Sequence, residues 1–464
     1  MKTKIRTLAM LAAACGFANA AAHAADIERV IVRQQWPWST DIEVEYMLSG
    51  VTSPVDINVQ AYNGNQEITS AQLADAISGD RYGIERDGIG QLTIDPVKAF
   101  GTASAVLPNF KVKLTLSASA ANINEVVYKI FDLTNNCACT DVTRADLLNG
   151  KYGAVETDFG AIGDGFNTSL DDVIIWTGVT NDIAYKTTHL VMRKIPAKGK
   201  SFTMGQSSSA YYKDHAASEI QHDVSFTNDY YAGVFELTYG QATNISRLAT
   251  PATSIGMYFT DTTDNALRAL TTTAAAVRGD IANWPDCGRA ETQNACFVKK
   301  LRDKTGLMFD LPTEAIWEFA CRAGTETDFN CGVVCTNDNW KALHNMISRN
   351  VWNSSVKAAD VNGLDQGLAS DKAVAVVGSY APNAYGLYDM HGNLCEWCLD
   401  SYVENLGTSA VVDPWGGAAN TARLMRGGAF YLGESNLTSS YRNQTLTSSQ
   451  KRTYTGARLF IVLP

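Results

Sequence analysis

Gly378 to Asp400 reads GSYAPNAYGLYDMHGNLCEWCLD. Gly, Asn and aromatic residues alternate here without a sustained helical or strand period, so irregular backbone is expected. Asp389 and Glu396 bracket a turn that contains Gly392. Such a turn can present backbone carbonyls to an ion held between two hard carboxylates, and oxygen-only ligation suits calcium. The plainer alternative is a turn whose carboxylates cap backbone amides.

Upstream of this stretch, Lys304 to Thr325 reads KTGLMFDLPTEAIWEFACRAGT. Thr313 suits a helix N-cap and Glu314 suits the positive helix end, so a helix is expected after Pro312. A second helix is expected over Cys296 to Lys304, with Phe297 and Leu301 on one face. His189 to Ile195 and Tyr230 to Leu237 are strand candidates. After Thr325 the chain reads as loop-rich.

Residues 26 to 132 differ in texture. Ile42, Val44, Tyr46 and Leu48 alternate over one face, and Val55 to Val59, Phe110 to Leu116 and Val126 to Phe131 repeat the habit between Gly, Asn, Ser and Pro. Period-two runs split by turn residues predict an antiparallel β-sandwich. Residues 133 to 185 are broken by Gly and Asn and read as a connector.

The 464 residues suit two or three domains, and 45% hydrophobic against 19% charged allows each a core. Net charge is −10, and Lys and Arg form no run, which argues against a nucleic-acid partner. The first 24 residues predict a signal peptide. Lys2, Lys4 and Arg6 precede a short apolar run from Leu8 to Phe17, and Ala22-His23-Ala24 is a small-x-small cleavage site. The expected location is periplasmic, cell-surface or secreted, with no transmembrane segment. Ten cysteines include Cys15, which would leave with the signal peptide. In an oxidising compartment Cys287/Cys296 and Cys331/Cys335 are near enough in sequence to pair.

Five segments in order carry a family resemblance. They are Ser201–Gly205 (SFTMG), Tyr231–Thr238 (YAGVFELT), Lys304–Thr325, Gly378–Asp400, and Arg423–Asn443 with Gly456–Leu459. Together they resemble the formylglycine-generating enzymes, or sulfatase-modifying factors, over Lys186 to Pro464. The resemblance implies an α+β fold: a C-terminal C-type-lectin-like domain at 186–464, preceded by the all-β sandwich at 25–132 and the connector at 133–185. It also implies calcium, held by the side chains of Asp389 and Glu396 and the carbonyls of Gly392 and Leu394. Trp317, Trp397, Tyr388, Arg426 and Arg458 read as residues that hold the fold, and His391 as an exposed residue without a catalytic role.

Active members of that family bind copper(I) through two cysteines near the C-terminus. One follows a Tyr-Arg dipeptide and the other lies three residues before that Tyr. Here Tyr441-Arg442 is followed by Asn443, and Thr438 stands at the earlier position; no cysteine follows Cys398. Neither residue supplies the thiolate that copper(I) demands, so copper is not expected. Cys395 and Cys398 form a Cys-x-x-Cys pair that, with Cys331 and Cys335, offers a four-thiolate zinc alternative; a disulfide or buried thiols are the plainer reading. The expected function is an exported binding or accessory module without oxidase activity. Its ligand would be a protein, peptide or glycan, met by a face that includes Phe430, Tyr431, Tyr441, Asn443 and Tyr454. The alternatives are a sulfatase-maturing oxidase with relocated cysteines and a retroelement-diversified variable protein.

Overall fold

The computed structural model describes residues 24–34, 39–69, 72–73, 76–100, 107, 109–156, 174–207, 210–212, 218–248, 265–279, 296–354, 374–415, 422–447 and 452–462. The stretch expected to be a signal peptide, Cys15 and Cys287 lie outside these, as does part of the expected connector. The chain divides into two compact units, Met1–Ile123 and Asn124–Pro464.

In the first unit β1 (Asp26–Gln34), β2 (Ile42–Ser49), β6 (Gly88–Ile94) and β5 (Ile77–Gly79) pair in that order. A second sheet joins β4 (Gln66–Ile68), β3 (Val55–Asn63) and β7 (Phe110–Ala118). All these pairings are antiparallel. Strand β2 alternates buried and half-buried residues along its length, with Ile42, Val44, Tyr46 and Leu48 in the core. Tyr46 fixes one neighbour: a Cβ at Gly90 would lie 2.2 Å from its ring, so no larger residue fits that register position.

The second unit is built on a six-stranded sheet. Its order is β14 (Met308–Asp310), β22 (Phe460–Val462), β13 (Tyr230–Gly233), β10 (His189–Ile195), β8 (Val126–Asp132) and β9 (Ala138–Thr143). The domain boundary expected after residue 132 therefore falls after Ile123. Val126–Asp132 belongs to this sheet, because it pairs with His189–Ile195 on one side and Ala138–Thr143 on the other. Part of the expected connector is likewise a strand and a short helix, Arg144–Leu148, held by a Thr143/Asp146 capping box.

A four-stranded sheet lies over this core, in the order β20 (Asn443–Thr447), β19 (Ala422–Arg426), β17 (Cys395–Ser401) and β21 (Thr455–Gly456). Smaller sheets join β11 (Ser201–Met204), β12 (His222–Ser225) and β18 (Val411–Val412), and pair β15 (Ser348–Arg349) with β16 (His391–Gly392). The two expected helices are present as Phe297–Thr305 and Glu314–Arg322. Thr313 caps the latter by accepting from the Ile316 amide at 3.3 Å, and every residue of that helix is buried. The stretch expected to be loop-rich also holds the helix Trp340–Ile347. Among the described residues no helix is long and apolar enough to cross a membrane.

Candidate functional site

The signature turn is wound by consecutive left-handed residues: Gly392 and Asn393 have φ of 76° and 56°, and Asp389 has 59°. Gly392 is required twice over, since a Cβ there would lie 2.1 Å from the Arg349 carbonyl oxygen that its parallel strand partner presents. The turn buries its polar groups and satisfies most of them internally. His391 is fully buried, against the expectation of an exposed residue. Its Nδ1 faces the Leu437 carbonyl at 2.7 Å and its Nε2 accepts from the Asn330 amide at 3.1 Å. Burial pushes its pKa down to about 3, so the ring is neutral and clamps two loops together.

Glu396 is the hub of a buried charge cluster. Arg458 donates to it from Nε at 3.0 Å and Nη2 at 2.7 Å, and Trp317 Nε1 donates at 2.6 Å. Arg458 spends its other donors on the carbonyls of Gly233, Val234 and Tyr388. That is why the strand expected to run to Leu237 ends at Gly233: its next carbonyls face a guanidinium rather than a neighbouring strand. Glu236, also fully buried, accepts from the Leu394 amide at 3.1 Å and from Asn393 Nδ2. Burial, with Asp389 and Glu396 beside it, holds the Glu236 carboxyl well above its usual range. Asp389 accepts from the Gly378 amide at 2.7 Å through Oδ2, while its buried Oδ1 has no hydrogen-bond partner among the described residues. Burial raises its pKa to about 6.

These facts bear on calcium. The orphan oxygen of Asp389 is the kind of hard donor calcium takes. Glu396 does not fit the same role as arranged here, because Arg458 and Trp317 already occupy both its oxygens. Among the described residues no group of three His, Cys, Asp or Glu side chains is disposed to hold a metal ion.

The second centre surrounds Thr438 to Arg442. Thr438 is buried, with Oγ1 at 3.4 Å from Ser440 Oγ. Asn443 opens β20 opposite Met425; its side chain lies outside the described atoms. The segment is pinned by arginines. Arg442 holds Glu314 through Nε at 2.5 Å and Nη2 at 3.1 Å, and donates from Nη1 to the Ser218 carbonyl at 2.9 Å. Arg426 bridges Glu314 and Glu318 and donates to the carbonyls of Ser439 and Tyr441 at 3.1 Å each. Arg322 completes the set on Glu318. Of the expected ligand face, Tyr431, Tyr441 and Tyr454 are half-buried, and the rings of Tyr431 and Tyr454 lie 5.0 Å apart. Phe430 departs from that expectation: it is fully buried in the core with Tyr388 and Leu394.

The thiols are dispersed. No disulfide joins any of the eight described cysteines. Cys395 and Cys398 stand three apart on β17, so the pleat turns them to opposite faces. Cys395 packs with Trp397 in one core cluster, Cys398 with Leu424 in another, and Cys331 and Cys335 in a third. The four-thiolate zinc arrangement is therefore not formed. Cys395 faces the hydroxyls of Tyr431, Tyr441 and Tyr454. Glu219 joins this centre unannounced by any sequence motif; it is buried beside Ser440, Arg426 and Arg442.

Comparison with known proteins gives a consistent family. Residues 195–462 match the family described as "Sulfatase-modifying factor enzyme 1-like domain". The chain is similar to the formylglycine-generating enzyme of Streptomyces coelicolor, with 34% identity over 128 residues, 27% of this chain and 37% of that one. It is similar to the enzyme of the same name from Thermomonospora curvata, with 33% identity over 130 residues, 27% of this chain and 39% of that one. The chain thus spans under two-fifths of the length of these curated relatives. Among solved structures, Treponema denticola variable protein 1 aligns at a TM-score of 0.42 with 20% identity, over 59% of this chain and 95% of that chain.

Proposed function

The chain belongs to the sulfatase-modifying factor enzyme 1-like family, and from that premise we propose that it is an exported ligand-binding or accessory module that has lost the family's oxidase chemistry. One observation carries this reading. The segment that would hold the two working thiols carries Thr438 and Asn443 instead, with Thr438 buried against Ser440. A hydroxyl does not replace a thiolate toward copper(I), because the ion favours soft sulfur. Cys395 brings one thiol toward Tyr441, but its nearest neighbour in sequence, Cys398, faces the other way. Around the altered segment the Glu314, Glu318, Arg322, Arg426 and Arg442 network is complete, so the frame is retained where the chemistry is not.

Export is part of the proposal and rests on the Lys2 to Ala24 pattern. Calcium is a further part, placed at Asp389 with the carbonyls of Gly392 and Leu394, and supported by the buried Oδ1 that lacks a partner.

Incubating the full chain with copper, oxygen and a Cys-x-Pro-x-Arg peptide tests the central claim. The peptide mass is expected to stay unchanged. Conversion of the peptide cysteine to an aldehyde would sink the reading.

A further inference from the structure

The two sheets of the first unit share a core that is open along one side. Strand β7 pairs with β3 along its whole length, from Phe110↔Asn63 to Ala118↔Val55, and among the described residues its other edge pairs with no strand. Ile57 and Ala61 of β3 are fully buried, yet Val112, Leu114 and Leu116, which share their face on β7, are only half-buried. Strand β1, at the edge of the other sheet, shows the same fall in cover. Val30 and Val32 lie opposite the core residues Tyr46 and Val44, so they face inward, but they are 39% and 37% exposed. The two edges flank one opening and are tied at one end, where the Leu107 amide donates to Gln34 Oε1 at 3.3 Å.

A free edge usually carries a device against further pairing, such as a bulge, a proline or a charge aimed inward. Strand β7 has none of these. Its register with β3 is unbroken, its sequence FKVKLTLSA has no proline, and its charges alternate with the apolar residues and so face outward. Lys111 and Lys113 are exposed, stand opposite the uncharged Tyr62 and Gln60, and form no ion pair among the described residues.

These facts define what an added strand must carry. It would lie about 4.8 Å from β7, with each side chain on the same face as the residue opposite. Its inward residues must be apolar to complete the cover over Val112, Leu114 and Leu116. Its outward residues meet two unpaired lysines, so carboxylates complement them. A second copy of this chain fits badly: β7 against β7 sets lysine beside lysine, and β1, the other long free edge, presents Arg29 and Arg33 on its outer face.

We propose that the free edge of β7 takes an extended segment of a partner protein in which apolar and acidic residues alternate. The apolar side chains close the core beside Val112, Leu114 and Leu116, and the carboxylates pair with Lys111 and Lys113. The site belongs to the first unit and does not depend on the chemistry of the second.

The test uses the full chain and three labelled peptides as long as β7. One alternates valine with glutamate, one alternates valine with lysine, and one has the composition of the first in blocks. Fluorescence anisotropy gives affinities, and amide hydrogen exchange locates the contact. The glutamate peptide should bind at least about tenfold more tightly than either other peptide, and it should slow exchange in β7. Lys111→Glu with Lys113→Glu changes only exposed side chains, so melting curves should show a folded chain, and its preference should pass to the lysine peptide. If that double variant does not fold, Lys113→Gln alone should weaken the glutamate peptide severalfold. No binding of the glutamate peptide, equal binding of the block peptide, protection away from β7, or an unchanged preference in the charge-reversed chain would overturn the proposal. A dimer of the parent chain in sedimentation that the charge reversal abolishes would assign the edge to a second copy and overturn it too. The aldehyde assay reads none of these outcomes, so either reading can fail alone.

Discussion

Glu219→Gln should change how stability depends on pH, and the structure gives the size of the change. Burial lifts the Glu219 carboxyl from 4.5 to about 7, with Ser440, Arg426 and Arg442 opposing the shift. The folded chain therefore keeps this proton up to about 7, while the unfolded chain releases it near 4.5. Between those values the folded state binds more protons, so stability falls as pH rises, and the whole penalty is in force above 7. At about 1.4 kcal/mol per pH unit the interval amounts to about 3 kcal/mol. Gln cannot ionise, so the variant lacks that slope. Relative to the parent it should gain about 3 kcal/mol between pH 4 and pH 8, or roughly 4 °C in melting temperature for a unit of this size. Any constant cost of burying the amide shifts the whole curve and leaves the slope difference intact. Asp389 and Glu236 titrate in both proteins and cancel in the comparison. Urea midpoints and melting curves at half-unit steps measure the difference. Parallel curves for parent and variant would refute the claim that Glu219 is buried without adequate donors.

Two more outcomes follow from the signature turn. Arg458→Met should cost about 3–5 kcal/mol, because it strands Glu396 as a buried charge with Trp317 as its remaining donor in that cluster, and a loss below about 1 kcal/mol in chemical denaturation would contradict the hub role. If calcium sits at Asp389, elemental analysis should find it and chelator should lower the melting temperature of the parent but not of Asp389→Ala; a chelator-insensitive parent without bound calcium removes that proposal.

Much of the frame is visible in the residues themselves. Thr313 before Glu314 announces a helix start, and the four alternating apolar residues of Ile42–Ser49 announce a strand. Alternation at Val126–Asp132 is just as clear, yet it says strand without saying which sheet, so reading it alone puts the boundary after residue 132 rather than after Ile123. Trp340, Leu343, His344 and Ile347 recur at helical spacing, but the polar residues among them and the loops around them mask the helix. His391 looks like a surface residue until its ring is seen between Leu437 and Asn330. Glu219 is the hardest case. Nothing near it in sequence hints at Ser440 or Arg442, and its surroundings exist only once distant segments meet.

The segment Thr455–Val462 enters two sheets and supplies Arg458, and its partners include Gly233, which it meets across 225 residues. Phe460–Val462 lies between β13 and β14, joining strands it could not have joined earlier in synthesis. Contacts this distant in sequence make closure slow, since the ends of a long loop must meet before any bond rewards them. During that wait β13 and β14 lack the strand that joins them. The six-stranded sheet is therefore continuous only once this closing segment slides into place.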